Sequence, residues 1–143
     1  MKTVTALKLS ESHYKSIKDH VDGTPDVEVC GLIGGVWQPY DRLALARVVI
    51  PVKNVDPAPS VRYAMEPQAL LNAVLNFEKK GWEVVGIYHS HPHGTAQPSV
   101  TDAAEAMYPD AVYLIGVPGG NLTAWRIIRG EIHAAALEIV DEN

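Results

Sequence analysis

The sequence predicts an α/β fold in which a single mixed β-sheet lies between helices on both of its sides, as one domain over residues 1–143. Two segments, 10–21 and 66–80, carry apolar residues at helical spacing. Short apolar runs rich in β-branched residues, such as 84–88, are typical of buried strands. The chain has 143 residues, 47% of them hydrophobic, and no repeat or linker interrupts it. One packed core is therefore expected.

The first half of the chain predicts strands around one helix. Residues 3–9 alternate between polar and apolar side chains and predict an edge strand. Ser10 is the expected N-cap of a helix that runs to about Val21. Residues 31–37 predict a strand whose glycines either permit close backbone approach or only allow twist. Residues 43–53 are expected to continue the sheet.

The second half predicts a loop, a helix and several further strands. The loop covers residues 54–60, and a short strand at 61–65 follows it. Pro67 is expected to open a helix that runs to about Lys80. Further strands are predicted at 84–88, 111–117, 122–128 and 131–139.

A group of potential metal ligands follows the strand at 84–88. Residues two apart on a strand point to the same side, so His89 and His91 are expected side by side. Seven residues later, Ser99 begins a short helix as its N-cap and Asp102 lies in the first turn. Two imidazoles and a carboxylate could supply the three protein ligands of a catalytic zinc. Ser99 and Asp102 also match an ordinary helix cap.

Composition and missing motifs exclude several other functions. The net charge of −5 and the pI of about 5.6 do not favour a phosphate-binding surface, so no nucleic-acid partner is expected. One cysteine cannot supply the Pro-Cys-x-x-Cys pair of a nucleobase deaminase, and His-Glu-x-x-His does not occur. No signal peptide and no run of about 18 apolar residues is found. A cytoplasmic protein without a membrane partner is predicted.

The spacing of the His-x-His, Ser and Asp motif resembles the signature of the JAMM (MPN+) metalloprotease family. That family also has a glutamate after its first helix, just before a Cys-Gly-apolar segment, and this chain has Glu28 before Cys30 in that place. The resemblance covers most of the chain and implies a minimal prokaryotic-type member. It implies a cytidine-deaminase-like MPN domain, with its sheet between helices and one Zn²⁺ per chain held by His89, His91 and Asp102.

The resemblance also implies roles for other residues. Glu28, not bound to the metal, would carry a proton from the attacking water to the leaving amine. Ser99 would donate a hydrogen bond to the oxyanion or orient the water. His93 matches no ligand position of the family. From its position alone, Cys30 is expected to be a buried apolar residue without a base partner. The remaining histidines are expected on the surface: His13, His20 and His133.

For the substrate, the resemblance implies hydrolysis of the amide bond after the C-terminal Gly-Gly of a ubiquitin-like modifier or sulfur-carrier protein. The extended tail is expected to pair with a sheet edge. The expected edge residues are Val61, Arg62, Tyr63, Ala64 and Met65. Only residues 103–110 follow Asp102 before the next strand, so the added loop of eukaryotic ubiquitin-specific members does not fit there. A non-catalytic MPN scaffold within a larger complex is the alternative function.

Overall fold

The computed structural model describes residues 2–141, within which seven strands close into a barrel. The strands are β1 (Ala6–Ser10), β2 (Cys30–Gln38), β3 (Leu43–Val52), β4 (Glu83–Ser90), β5 (Val112–Gly116), β6 (Thr123–Ile128) and β7 (Glu131–Val140). Their order around the barrel is β1-β3-β2-β4-β5-β6-β7, and β7 pairs again with β1. The α-helices are α1 (Glu11–Gly23), α2 (Pro67–Lys79) and α3 (Val100–Glu105).

The predicted architecture, one sheet with helices on both sides, is wrong. β1 pairs in parallel with both β3 and β7, so the sheet closes on itself and residues 3–9 do not form an edge strand. Periodicity identifies each strand, but closure depends on contacts between distant parts of the chain, such as Ala6 with Ala136. Such contacts leave no local pattern in the sequence. Closure also removes the unpaired edges that an open sheet would present.

The first two helices begin at the predicted positions. The Ser10 hydroxyl accepts a hydrogen bond from the backbone N–H of His13 at 3.1 Å. The Glu66 carboxylate accepts from the backbone N–H groups of Gln68 and Ala69. These caps satisfy donors that lack partners in the first helical turn. None of the helices in residues 2–141 is long and apolar enough to cross a membrane.

Two glycines of β2 permit close packing, which resolves the alternatives that the sequence left open. A Cβ atom at Gly35 would lie 1.9 Å from the carbonyl oxygen of Leu45 in β3. A Cβ atom at Gly31 would lie 2.2 Å from the ring of Tyr88 in β4. No larger residue fits either position, so the glycines allow β3 and β4 to approach β2 closely.

β4 separates two parts of the apolar core and determines where the predicted ligands lie. Tyr88 packs in a cluster that contains Ile17 of α1, whereas Ile87 packs in a cluster that contains Phe77 of α2. His89 points to the same side of β4 as Ile87, because side chains alternate along a strand. The ligand group is therefore on the α2 side of the sheet. The strands predicted at 84–88, 111–117, 122–128 and 131–139 are confirmed as β4, β5, β6 and β7.

The predicted strand at 61–65 is not formed. Within residues 2–141 its only ladder contact is an isolated bridge between Met65 and Asn54. The Asn54 side chain holds the segment instead, because its Oδ1 accepts from the Ala64 N–H and its Nδ2 donates to the Arg62 carbonyl, both at 3.0 Å. The Val55 N–H also donates to the Ala64 carbonyl at 2.8 Å, so a side-chain amide and a single bridge take the place of a strand ladder, which strand periodicity could not reveal.

Candidate active site

The three residues predicted as metal ligands meet at the end of β4. Nε2 of His89 lies 3.0 Å from Nε2 of His91 and 3.1 Å from Oδ2 of Asp102. Nε2 of His91 lies 3.0 Å from the same carboxylate oxygen. Both histidines are buried. The structure therefore brings the two imidazoles and the carboxylate together at the corners of one small triangle.

Local backbone structure places these side chains. The His91 N–H donates to the carbonyl of Gly116 at 2.9 Å, which fixes the chain just beyond β4. At the start of α3, the Asp102 N–H donates to Ser99 Oγ at 3.0 Å, and Asp102 Oδ2 accepts from the Ser99 N–H at 2.9 Å. This capping box confirms the predicted helix cap. It also orients the carboxylate towards the histidines.

The chemistry of the three donor atoms fits a cation. Nδ1 of His91 donates to the Thr95 carbonyl at 2.6 Å, which leaves the lone pair of the neutral ring on Nε2. Nδ1 of His89 is buried without a hydrogen-bond partner among residues 2–141. The lone pair on Nε2 of His91 faces the carboxylate oxygen of Asp102 at 3.0 Å, and the two repel unless a positive charge lies between them. Two histidines and one aspartate form a ligand set that zinc accepts. Atoms of Glu28, His89 and His91 also lie within 4.8 Å of one another.

The pKa shifts of His89 and Asp102 suit metal binding, whereas the pKa of His91 is raised, because the lowering effect of burial is outweighed by its contacts with Asp102 and the Thr95 carbonyl. Burial lowers the pKa of His89, so its ring is neutral near neutral pH. Burial alone would raise the pKa of Asp102, but its contacts with His89 and His91 and the Ser99 N–H hold that pKa below its ordinary value. Neutral imidazole and ionised carboxylate are the forms that coordinate a metal ion.

Glu28 lies beside this group and is 5% exposed. Burial raises the pKa of the Glu28 carboxyl to about 7; proximity to His91 opposes the shift, and the negative charges of Asp102 and Asp56 add to it. Its Oε1 atom is buried and has no hydrogen-bond partner in the described part of the chain. A carboxyl group in this environment can take up and release a proton near neutral pH.

The backbone around Glu28 is held by contacts that the sequence analysis missed. The Glu28 N–H donates to the Pro59 carbonyl at 2.7 Å, and Asn54 Nδ2 donates to the Glu28 carbonyl at 2.9 Å. The Val29 N–H donates to Ser90 Oγ of β4, also at 2.9 Å. The sequence feature that could have indicated these contacts is Asn54, because an asparagine at the start of a loop is typical of an Asx turn. Its partners in distant segments could not be inferred from that signal.

Two cavities adjoin the predicted metal-ligand group, which consists of His89, His91 and Asp102. A cavity of about 380 Å³ is lined by Glu28, His91, His93 and Ser99, together with neighbouring loop residues. A second cavity, of about 470 Å³, is lined in part by Asp102. All of the predicted substrate-binding residues also line it: Val61, Arg62, Tyr63, Ala64 and Met65. Since Val61 contributes to both cavities, they adjoin each other, and each is lined by one of the predicted ligands, His91 or Asp102.

Tyr63 has a contact that the sequence did not indicate. Its ring stacks on the ring of His89, with 4.6 Å between centroids and 26° between planes. The tyrosine therefore covers one imidazole of the site and shields it from solvent. No periodic pattern could have identified this contact, because residues 61–65 lie outside the barrel strands.

Two further predictions concern residues near the site. Cys30 is buried, and its thiol donates to the Val52 carbonyl at 3.3 Å. Burial raises the pKa of the Cys30 thiol to about 12, which confirms the prediction of an unreactive core residue.

The surface position predicted for His20 is wrong. His20 is half-buried, and its Nδ1 lies 2.6 Å from the hydroxyl of Tyr88, so the ring fills a place between α1 and β4.

Comparison with known families decides the classification. The family described as prokaryotic homologs of the JAB domain matches residues 10–128. The chain belongs to this family. As a JAB-domain protein it is a JAMM-type hydrolase, which confirms the resemblance and the predicted enzyme class.

Individual relatives agree with this membership. The JAB chain is 36% identical over 129 residues to a desampylase from Haloferax volcanii, covering 85% of this chain and 88% of the relative. It is 42% identical over 71 residues to a probable TtuB-protein conjugate cleaving protease from Thermus thermophilus, covering 50% and 48%. A solution structure of a protein from Desulfitobacterium hafniense matches with a TM-score of 0.82 and 27% identity, covering 95% of this chain and 94% of that one.

Proposed function

We propose that this JAB-family chain is a zinc-dependent isopeptidase that hydrolyses the amide bond after the C-terminal Gly-Gly of a ubiquitin-like modifier or sulfur-carrier protein. The observation that carries the proposal is the meeting of His89, His91 and Asp102 donor atoms at 3.0–3.1 Å beside a buried Glu28. The names of the relatives support the substrate class, since one is a desampylase and another is a probable TtuB-protein conjugate cleaving protease. A cytoplasmic location stays a prediction.

His89, His91 and Asp102 would hold one zinc ion per chain. When bound, zinc supplies Lewis acidity and lowers the pKa of coordinated water to about 7. The capping box and the Thr95 carbonyl keep the aspartate and His91 oriented. Fixed outer contacts of this kind hold ligating side chains in place before the metal arrives.

Glu28 would move the proton that the reaction requires. Water attacks the amide carbonyl, the carbon–nitrogen bond breaks, and the leaving amine needs the proton that water gives up. A Glu28 carboxylate takes up that proton at an oxygen atom and returns it to the amine. Burial raises the pKa of Glu28 to about 7, so both forms of the carboxyl are accessible near neutral pH. Such general acid–base help contributes about 10²–10⁴-fold in rate.

Ser99 would act on the oxygen of the scissile carbonyl. Its hydroxyl accepts the Asp102 N–H, and its own proton remains available for donation. Ser99 lines the same cavity as Glu28 and His91, so a substrate in that cavity lies close to all three residues. One hydroxyl can therefore cap α3 and stabilise developing negative charge.

The Gly-Gly tail would lie in the 470 Å³ cavity along residues 61–65. Although these residues do not form a strand, the N–H groups of Tyr63 and Met65 have no hydrogen-bond partner among residues 2–141. In extended chain, residues two apart point to the same side, so both groups are available to one bound peptide. Glycine carries no Cβ, which permits close backbone approach beside the Tyr63–His89 stack.

A fusion assay tests the proposal. The substrate is a small ubiquitin-like or sulfur-carrier protein that ends in Gly-Gly and carries a short C-terminal extension. Zinc-loaded protein is expected to cleave directly after Gly-Gly, as measured by mass spectrometry, and replacement of the last glycine by valine should block cleavage. Equal turnover of both fusions would contradict the Gly-Gly specificity. Failure to cleave any such fusion would contradict the proposed reaction.

A further inference from the structure

The 470 Å³ cavity along residues 61–65, in which the Gly-Gly tail is proposed to lie, is the tail cavity. A third cavity, of about 280 Å³, lies beyond it and has no role in the proposed chemistry. Both cavities are lined by Met107 and Tyr108, so they adjoin each other. Along α2, Leu70 lines the tail cavity, whereas Val74 and Glu78 line the third one. These positions are four residues apart and share one face of the helix. A continuous groove therefore runs along this face of α2.

The floor of this groove follows β4 away from the metal-ligand group. Ile87 of β4 lines the tail cavity, and Val84 and Glu83 line the third cavity. His89 and Glu83 are six residues apart on one strand, which corresponds to about 20 Å. An extended peptide with its scissile bond at the metal-ligand group therefore reaches the third cavity about six residues earlier in its sequence.

The third cavity combines negative charge with aromatic walls. Its aromatic residues are Trp37, Phe77, Trp82 and Tyr108, and its charged residues are Glu78, Glu83 and Asp110. No lysine or arginine lines it, and the nearby bases at the end of α2 lie outside its lining. In residues 2–141 neither Glu78 nor Glu83 forms an ion pair or a side-chain hydrogen bond, whereas Asp110 accepts from the Lys2 N–H at 2.7 Å. Two carboxylates are thus free to meet a cation.

Two aromatic rings of this cavity already take part in cation–π contacts, and in the first of them Nζ of Lys2 lies 5.4 Å from the centroid of the Trp37 ring. Nζ of Lys80 lies 4.8 Å from the centroid of the Trp82 ring. Tryptophan is the aromatic side chain that attracts cations most strongly, and carboxylates at the same site add to that attraction. A long basic side chain also has an apolar stem that suits the walls formed by Val74 and Phe77.

We propose that the third cavity binds a lysine or arginine side chain of the substrate protein, located about six residues before the scissile bond. This inference rests on the proposed function, because it places the substrate tail in the groove between α2 and residues 104–110. It assigns the chain a recognition site outside the reacting centre, one that selects substrates by a charge in the tail upstream of Gly-Gly.

The first experiment compares two fusions that differ at one position. One carries lysine and the other glutamine at the sixth residue before the scissile bond. Wild-type protein is expected to cleave the lysine fusion with a KM about 5-fold lower and an unchanged kcat, because the contact is made equally before and during the reaction. Neighbouring positions are tested in the same way, so that the register of the tail is measured rather than assumed. Equal KM values for lysine and glutamine at every position would overturn the proposal and leave Gly-Gly cleavage intact.

Enzyme variants then locate the contact. The E78Q/E83Q double variant is expected to abolish the preference for lysine, and the matched variant Glu138→Gln, an exposed carboxylate on β7, should retain it. Glu83→Lys is expected to reverse the preference in favour of a glutamate-containing tail. Persistence of the lysine preference in the double variant would show that the charge is recognised elsewhere and would overturn the assignment.

A binding measurement keeps the proposal independent of catalysis. Synthetic tail peptides ending in Gly-Gly, with lysine or glutamine at the selected position, are titrated into the protein while the indole N–H signals are followed by NMR. The lysine peptide is expected to shift the Trp82 signal at lower concentration than the glutamine peptide. In Trp82→Leu, the signal of Trp37, which lines the same cavity, should respond equally to both peptides. If no fusion is cleaved, the reaction is misassigned, yet this titration still shows whether the third cavity binds a lysine side chain. Identical titrations of both peptides would contradict it.

Discussion

The metal-ligand group and the Glu28 segment face the same site, but different kinds of contact hold them. His89, His91 and Asp102 fall within fourteen consecutive residues and are oriented by the end of β4 and a capping box. Glu28 lies in a segment without strand or helix and is held by Asn54, Pro59 and contacts of Val29 with β4. One half of the site is locally encoded, whereas the other depends on tertiary structure.

This difference has a physical consequence. A capping box forms whenever α3 forms, so the Asp102 carboxylate keeps its orientation through local contacts. The position of Glu28 depends on several long-range hydrogen bonds, each worth about 0.5–1.5 kcal/mol. Changes far from the reacting atoms should therefore displace Glu28 more easily than they displace the metal ligands. The variants below separate the two halves, beginning with the largest expected effect.

Loss of a metal ligand should have the largest effect. Asp102→Ala is expected to lose the zinc ion that is proposed for the wild type at about one per chain. Activity should fall by at least ~10³-fold, since the Lewis acid contributes several kcal/mol. Elemental analysis and the fusion assay measure both outcomes. Asp41→Ala, at an exposed residue between β2 and β3, is the control and should match the wild type. Full zinc content in Asp102→Ala would refute the ligand assignment.

Loss of the proton carrier should separate catalysis from metal binding. Glu28→Gln preserves the size of the side chain and removes only its ability to ionise. Hydrolysis is expected to fall by about 10²–10⁴-fold with zinc content unchanged. The two measurements are made on the same preparation. If zinc is lost together with activity, Glu28 is a ligand and the two halves of the site are not chemically distinct.

The Asn54 variant tests whether the Glu28 segment depends on distant contacts. Asn54→Ala removes hydrogen bonds to Glu28, Arg62, Asp56 and Ala64. The free energy of unfolding should fall by about 2 kcal/mol, because four partly exposed bonds are lost. Since Glu28 and the tail-binding segment shift together, kcat/KM should fall about 10-fold while zinc remains bound.

Asn54→Asp is the matched control for this variant. It keeps the acceptor oxygen for Asp56 and Ala64 and loses the donors to Glu28 and Arg62. An activity loss in Asn54→Asp close to that of Asn54→Ala would assign the effect to the lost bonds to the Glu28 and Arg62 carbonyls rather than to those from Asp56 and Ala64. Wild-type activity in both variants would show that Asn54 does not position Glu28.

The smallest expected effect concerns Cys30, next to the Glu28 segment. Burial raises the pKa of its thiol to about 12, so very little thiolate is present at about pH 8. Iodoacetamide should therefore leave Cys30 of the folded protein unlabelled and alkylate it only after unfolding, as followed by mass spectrometry. Rapid labelling of the native protein would mean that the segment around β2 opens, and that the Glu28 side of the site is mobile.

Sequence patterns were sufficient for features that depend on neighbouring residues. The N-caps at Ser10 and Ser99 and the side-by-side histidines after β4 follow from short-range spacing, and all are present. The glutamate is different, because only its resemblance to a family position distinguished Glu28 from the other acidic residues. Helix periodicity and capping are local properties, so one segment is enough to reveal them.

Tertiary structure alone decided how these segments are connected. The barrel closes through parallel pairing of β1 with β7, so the predicted open sheet was wrong even though most of its strands were correct. Residues 61–65 are held by the Asn54 side chain rather than by a strand ladder, and Tyr63 stacks on His89. Each of these features is a contact between two different segments of the chain. Its energy depends on the complete set of packed partners, which no single stretch of sequence contains.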